Sequence, residues 1–177
     1  MIDYAKIDLL VLDVDGVMTD GGITLSSGGE ELKTFHVRDG SGMKYWHRAG
    51  GRIAMLSGRS SPAVAARAKE LGVEVLRMGL RDKLPAYREV LAKLGVGEER
   101  VAVVGDDLQD LPLLRHCGFP VAVADAAEEV RQAAAYVTQA RGGAGAVREV
   151  VELVLRGGGK WGGIMARYLE GGGTSGP

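Results

Sequence analysis

The sequence has few of the features that mark secreted, membrane-spanning or polyanion-binding proteins. Its single cysteine, Cys117, excludes an internal disulfide framework. With 22 basic and 23 acidic side chains the net charge is -1, which gives no electrostatic basis for binding nucleic acid or an anionic membrane. No apolar run approaches the roughly 20 residues that cross a bilayer, and the first residues lack the pattern of a signal peptide. We therefore expect a cytoplasmic protein with neither kind of partner.

The length of 177 residues is that of one ordinary domain with a full hydrophobic core. Regular patterning extends over residues 1–156, and a glycine-rich tail follows over 157–177. Within the tail, residues 161–170 are typical of a short amphipathic helix. We predict a single domain over 1–156 and a tail that contains this helix.

Short apolar runs alternate with helix-periodic segments along the predicted domain. The first run, at 7–12, is apolar on both faces, as in a strand buried inside a parallel sheet. Later runs of this kind occupy 52–56, 73–76, 101–104 and 121–124. This alternation predicts an α/β fold, a Rossmann-like and mainly parallel sheet of five or six strands flanked by helices.

The stretch between the first strand and its crossover helix reads as a β-hairpin, because two β-prone runs flank a Ser-Ser-Gly-Gly turn. We predict a flap over about 21–39 and a crossover helix that begins near Ser41. An isolated hairpin is marginal in water, and this one is apolar, so we expect it to pack against another subunit. Its apolar residues are Ile23, Leu25, Leu32 and Phe35.

Side chains that can take part in catalysis or metal binding lie just after strands or, in one case, at the start of a helix. Asp13 and Asp15 close the first strand and point the same way, because residues i and i+2 share a strand face. Two such carboxylates repel by about 4 kcal/mol at 4 Å in an effective dielectric of 20, so they require a cation, a shared proton or good solvation. Ser57 follows the second strand, Lys83 opens a helix, and Asp106 follows the fourth strand. The C-terminal ends of parallel strands are where such sheets bind ligands.

Several carboxylates, one hydroxyl and one lysine fit phosphoryl transfer, in which a hard dication and a few donors stabilise the developing charge. Mg²⁺ is the natural ion, since it takes oxygen ligands and keeps water beside a phosphate. Carboxylates alone would repel a phosphate. The ion reverses that sign, and Lys83 with the Ser57 hydroxyl can then hold the remaining phosphoryl oxygens.

The segments DVDGVMTDGG, LSGRSS, DKL and GDDLQDLP, in this order, resemble the haloacid dehalogenase superfamily of phosphatases over nearly the whole chain. The resemblance implies that Asp13 attacks phosphorus to form an aspartyl phosphate, and that Asp15 acts as general acid and then general base. It further implies phosphoryl binding by Ser57 and Lys83, and Mg²⁺ binding by Asp13, the Asp15 main-chain carbonyl and Asp106. Asp107 and Asp110 match the family's acidic loop, and we expect them to lie behind the metal ligands.

A closer resemblance, carried by FHVRDGSGM, SGR, YVT and GGAGAVRE, is to the members of this superfamily that act on the sugar-acid phosphate KDO 8-phosphate. It implies no large cap domain and a homotetramer whose flaps pack together. Asp13 and Ser57 are only 44 positions apart, which agrees with a missing cap. The SGR motif adds Gly58 and Arg59 to the expected substrate-binding residues Ser57 and Lys83.

Alternatives remain open at this stage. Phosphatases for nine-carbon sialic-type sugar phosphates share most motifs, but they tend to carry an acidic residue in place of Arg59, which could pair with a sugar-acid carboxylate. A surface position for Arg59 at a helix start is an equally simple reading. A phosphoaspartyl receiver would place its lysine after the last acidic site, whereas Lys83 precedes Asp106. A catalytically idle tetramerisation module of the same fold is disfavoured by the intact acidic residues and lysine.

Overall fold

A computed structural model describes residues 2–170. Within this range the strands are β1 (Leu9–Leu12), β2 (Thr24–Leu25), β3 (Glu31–Leu32), β4 (Arg52–Leu56), β5 (Val75–Arg77), β6 (Val101–Gly105), β7 (Phe119–Ala122) and β8 (Tyr136–Val137). The helices are α1 (Val37–Arg48), α2 (Pro62–Glu70), α3 (Lys83–Leu94), α4 (Leu111–Leu114), α5 (Glu128–Ala133), α6 (Ala146–Gly157) and α7 (Trp161–Leu169).

Six strands form one sheet in the order β5-β4-β1-β6-β7-β8, and every pairing in it is parallel. β1 lies in the interior, where Leu9 pairs with Arg52 of β4 on one side and Val101 of β6 on the other. All four residues of β1 are buried, because helices cover both faces of the sheet. The predicted α/β fold with a parallel sheet is confirmed.

The chain runs from β1 outward through β4 and β5, and then returns to the other side of β1 to make β6, β7 and β8. The direction of the strand order therefore reverses between β1 and β6. In open α/β sheets a crevice forms outside the C-terminal ends of the strands at such a point, and ligands bind there. Asp13 and Asp106 directly follow these two strands.

The predicted hairpin is present, with Thr24 opposite Leu32 in an antiparallel pair. The helix after it begins at Val37, so the prediction of a start near Ser41 was wrong. The reason is a long-range contact: the buried Asp39 carboxylate accepts hydrogen bonds from the N–H groups of Gly145 (3.2 Å) and Arg148 (2.8 Å) at the start of α6. This contact fixes the first turn of α1 against α6.

Ser61 occupies the N-cap position of α2, and Pro62 is the first helical residue. Its hydroxyl, however, forms no capping hydrogen bond and is buried without a partner in the described part of the chain. The third strand begins at Val75 rather than residue 73, because the Val73 N–H bonds to the Ala68 carbonyl to close the turn after α2.

Helix α7 lies within the tail, where the sequence indicates a short helix. Trp161 packs edge-on against Tyr45 of α1, with ring centroids 6.1 Å apart, and the Arg156 guanidinium lies 4.5 Å from the Trp161 ring centroid. The rest of the predicted tail, residues 171–177, lies outside the described residues. None of the helices between residues 2 and 170 has the length and apolarity needed to cross a membrane.

Candidate active site

Two glycines bring three loops together at the reversal point of the sheet. Gly16 adopts a φ of +93°, and a Cβ there would lie 2.0 Å from Asp106 Oδ2, so a side chain would exclude that carboxylate. On its other side, Gly142 rests against the Gly16 backbone, and a Cβ on Gly142 would lie 1.7 Å from the Gly16 carbonyl oxygen. The Gly143 N–H donates to the Val17 carbonyl at 2.9 Å. The loop after β1 is therefore held between the loops after β6 and β8.

At the centre of the site lies the Lys83 ammonium, carried by the first residue of α3. Its Nζ is 2.6 Å from Asp13 Oδ1 and 2.7 Å from Asp110 Oδ1, and all three side chains are buried. Burial disfavours the charge on Lys83, but the two carboxylates outweigh it and raise the pKa of the ammonium above its ordinary value. Lys83 is therefore a fixed positive charge beside Asp13.

The remaining acidic residues of the GDDLQDLP segment organise their own loop. Asp110 Oδ2 accepts hydrogen bonds from the N–H groups of Asp106 (3.0 Å) and Asp107 (3.4 Å), while Asp107 Oδ1 accepts from the Leu108 N–H (2.8 Å). Both oxygens of Asp110 are thus engaged, one by Lys83 and one by the loop backbone. Asp107 is exposed and caps the turn Leu108–Asp110.

Three carboxylates, of Asp13, Asp106 and Asp110, offer oxygens that lie within 4.8 Å of one another. Burial, reinforced by Asp110, raises the pKa of Asp13 to about 6 despite Lys83. Burial and the nearby Asp13 raise the pKa of Asp106 to about 8. Asp106 Oδ1 is buried without a hydrogen-bond donor among the described residues. This cluster of hard oxygen donors, one of them without a hydrogen-bond donor, fits a divalent cation such as Mg²⁺.

Asp15 lies beside this cluster, and both of its carboxylate oxygens have partners. Ser57 Oγ donates to Oδ2 at 3.2 Å, and Lys33 of the hairpin contacts Oδ1. Lys33 Nζ also lies 3.0 Å from Glu31 Oε1, and only 1% of the Lys33 side chain is exposed. Burial opposes the Lys33 charge, yet the hydrogen bonds with Asp15 and Glu31 raise its pKa overall. The hairpin thus delivers a cation to the predicted acid/base.

Lys33 was not among the residues predicted from the sequence, although the hairpin pattern contains a signal for it. Glu31 and Lys33 are separated by one residue and share a face of the hairpin, while Leu32 between them points outward and is half exposed. The hairpin therefore turns its charged face toward the sheet and its apolar face outward, which is the reverse of the usual arrangement. That reversal indicates charged partners beneath the hairpin.

A cavity of about 400 Å³ opens at this edge of the sheet. Most of the expected site residues line it, including Gly58 and Arg59, whereas Ser57 is buried behind the wall and reaches Asp15 from there. Arg59 forms an ion pair with Glu31 of the hairpin. The wall residues that the sequence analysis did not identify are Leu80, Arg81 and Gln109.

Comparisons with known proteins agree in family and in fold. A sequence profile of the haloacid dehalogenase-like hydrolases matches residues 74–150. The 3-deoxy-D-manno-octulosonate 8-phosphate (KDO 8-phosphate) phosphatase of Yersinia pestis is 48% identical over 151 residues, which cover 85% of this chain and 81% of that protein. The phosphatase of the same name from Escherichia coli K12 is 46% identical over 155 residues, covering 88% and 82%.

A solved structure of the KDO 8-phosphate phosphatase of Moraxella catarrhalis has the same fold. Its TM-score to this chain is 0.91 at 40% sequence identity, and the match covers 94% of this chain and 95% of that one. That crystal contains a magnesium ion, a phosphate ion and a KDO molecule.

Proposed function

Since this chain belongs to the haloacid dehalogenase-like hydrolases, we propose that it hydrolyses KDO 8-phosphate to KDO and inorganic phosphate through an aspartyl phosphate on Asp13. One observation supports this chemistry most directly. At the floor of the cavity the buried Lys83 Nζ lies 2.6 Å from Asp13 Oδ1, and Asp13 lies beside Asp106. The identity with KDO 8-phosphate phosphatases supports the choice of substrate. The predicted enzyme class, a phosphoric monoester hydrolase, is confirmed by these relatives.

The proposed reaction has two steps, and both use carboxylates at the end of β1. An oxygen of Asp13 attacks phosphorus, the bond from phosphorus to the sugar oxygen breaks, and Asp15 gives that oxygen a proton. Asp15 then takes a proton from water, which attacks the aspartyl phosphate. The bond between Asp13 and phosphorus breaks, inorganic phosphate leaves, and the Asp13 carboxylate is restored.

The other groups of the site bind and orient the phosphoryl group. The Lys83 ammonium and the Ser57 hydroxyl are the proposed donors to its oxygens, because both already lie within hydrogen-bond distance of the two carboxylates that do the chemistry. Asp110 holds Lys83 in this position from behind, at 2.7 Å. Asp107 stabilises the turn that carries Asp110.

The groups proposed to hold Mg²⁺ are the Asp13 and Asp106 carboxylates and the Asp15 main-chain carbonyl. When bound, the ion supplies positive charge that allows a phosphate to approach this acidic cavity and that stabilises the charge developing on it. Asp110 is the third carboxylate within reach. Its oxygens are occupied by Lys83 and by the N–H of Asp106, so we assign it to support.

We expect Mg²⁺ to raise the melting temperature of the purified protein, and to raise it more at pH 8 than at pH 6. The pKa of Asp106 is raised to about 8 and that of Asp13 to about 6, so protons compete with the cation at the lower pH. Between about pH 4 and pH 8 the folded, metal-free protein binds more protons at Asp106 than the unfolded chain does, and its stability falls as the pH rises. The cation offsets this loss.

Differential scanning calorimetry at pH 6, 7 and 8, with and without Mg²⁺, measures the effect. Asp106→Asn is expected to remove most of the shift, while the exposed loop variant Asp107→Asn should retain it. A shift that does not depend on pH, or one that survives in Asp106→Asn, would contradict the proposed ligands.

We expect kcat/KM for phosphate release to be at least about tenfold higher with KDO 8-phosphate than with a nine-carbon sialic-type 9-phosphate. The reason is that enzyme sites discriminate by about this factor or more between substrates that differ by one small group. Inorganic phosphate release with Mg²⁺ present measures both. Faster turnover of the nine-carbon compound would sink the substrate assignment and leave the mechanism in place. An idle module would release phosphate from neither.

We also propose a homotetramer formed through the hairpins. In the single chain, Ile23, Leu25 and Leu32 are all more than half exposed, whereas Phe35 packs on the core and under the Arg67 guanidinium. An apolar patch of this kind on a hairpin is typical of an interface between copies. Light scattering at micromolar concentration should give the mass of four chains, and Leu25→Lys should lower it. A monomeric mass for the unmodified protein would contradict the assembly.

A further inference from the structure

Two arginines line the cavity, and one of them already forms an ion pair. Arg59 is held by Glu31, whose other carboxylate oxygen lies 3.0 Å from Lys33 Nζ. Glu31 offsets the charge of Arg59, so a substrate carboxylate gains less from Arg59 than from an arginine that has no carboxylate partner. Arg81, by contrast, is exposed, lines the same cavity and forms no hydrogen bond or ion pair within residues 2–170.

Backbone hydrogen bonds of the two preceding residues fix the position of Arg81. The Gly79 N–H donates to the Arg59 carbonyl at 3.3 Å, and the Leu80 N–H donates to the Ser57 carbonyl at 3.1 Å. These bonds join the loop after β5 to the loop after β4 along the cavity wall. Arg81 follows directly, two residues before Lys83. One short segment therefore presents a buried ammonium at the cavity floor and an unpaired guanidinium at its mouth.

The proposed substrate has charge at both ends. Its phosphate is on C8 and its carboxylate on C1, so when the phosphate is bound at the floor beside Lys83 the carboxylate extends toward the mouth. A cavity of about 400 Å³ is in the range that encloses one ligand of this size. A planar guanidinium matches a carboxylate through two parallel hydrogen bonds.

We propose that Arg81 is the residue that binds the carboxylate of the sugar acid and so determines specificity for acidic over neutral sugar phosphates. This assignment rests on the proposed function, and it shifts carboxylate recognition from Arg59 to Arg81. Arg59 instead holds the hairpin closed through Glu31.

The experiment compares kcat and KM for KDO 8-phosphate and for octulose 8-phosphate, a sugar phosphate of equal chain length without a carboxylate. The variants are Arg81→Gln, Arg81→Lys and Arg59→Gln. Arg88→Gln, which removes an exposed arginine on α3 that does not line the cavity, is the matched control. Arg81→Gln is expected to lower kcat/KM for KDO 8-phosphate about tenfold or more relative to octulose 8-phosphate, mainly through KM, as expected for a lost charge-assisted hydrogen bond. Arg81→Lys should recover part of the loss, and Arg88→Gln should match the unmodified enzyme.

Equal losses for both substrates, no loss, or a selective loss only in Arg59→Gln would each overturn the assignment. A failure of the proposed substrate looks different, because the unmodified enzyme would then hydrolyse p-nitrophenyl phosphate but not KDO 8-phosphate. In that case the same variants are compared on the nine-carbon acid phosphate and its decarboxylated analogue. A selective loss in Arg81→Gln there would support the carboxylate assignment, and its absence would overturn it.

Discussion

Asp13→Asn is expected to reduce phosphate release from KDO 8-phosphate by roughly 10⁴-fold or more, the scale seen when a nucleophile that acts in a unit with its neighbours is removed. The amide keeps the shape of the side chain and can still accept a hydrogen bond from Lys83, so the site should remain assembled. It cannot attack phosphorus as a carboxylate does. Inorganic phosphate release with Mg²⁺ present measures the loss.

Two controls separate chemistry from folding in this experiment. Asp3→Asn, which changes an exposed aspartate before β1 and thus at the opposite edge of the sheet, should keep full turnover. The melting temperature of metal-free Asp13→Asn should equal or exceed that of the unmodified protein, because one of several crowded acids has been removed. Retained turnover in Asp13→Asn would overturn the mechanism.

Lys83→Met is expected to have the largest effect on stability. It leaves Asp13 and Asp110 buried without their common counter-charge, and removing one partner of a buried ion pair costs about 3–5 kcal/mol. The cost depends on pH. Without Lys83 the pKa of Asp13 rises further, so the folded variant holds a proton that the unfolded chain releases, and its stability falls as the pH increases.

The free energy of unfolding in urea at pH 5.5 and pH 8 measures this loss for the metal-free protein, and we expect it to be larger at pH 8. Lys93→Met, on the exposed side of the same helix, is the matched control and should change the free energy of unfolding by less than about 0.5 kcal/mol. A loss that is equal at both pH values would show that Lys83 stabilises the fold by packing alone.

Local sequence patterns predicted much of this structure. The apolar runs predicted the parallel sheet because a strand covered on both faces needs apolar side chains throughout, as in β1. The position of Asp13 and Asp106 followed from the same rule, since both directly follow strands whose C-terminal ends meet at one edge. The contact between Lys83 and Asp13 was not predicted, since the family resemblance implied for Lys83 only a role in binding the phosphoryl group.

Contacts between distant residues could not be predicted in this way. The start of α1 depends on Asp39, whose partners Gly145 and Arg148 lie more than one hundred positions further along the chain. The Ser61 hydroxyl, which has no hydrogen-bond partner within residues 2–170, also depends on what surrounds its loop. The ion pair of Arg59 with Glu31 likewise joins two segments that local patterning treats separately.

The close approach of Gly142 to Gly16 bears on how the protein is made. These residues are 126 positions apart in the sequence, so the ribosome must add all the residues between them before the loop that carries Asp13 can be clamped. Strand β6, which pairs with β1, is also synthesised well after Asp13. A nascent chain that stops before residue 142 therefore carries Asp13 in a loop that Gly142 does not yet hold. Assembly of the candidate site thus waits for a segment that is synthesised 126 positions after Gly16.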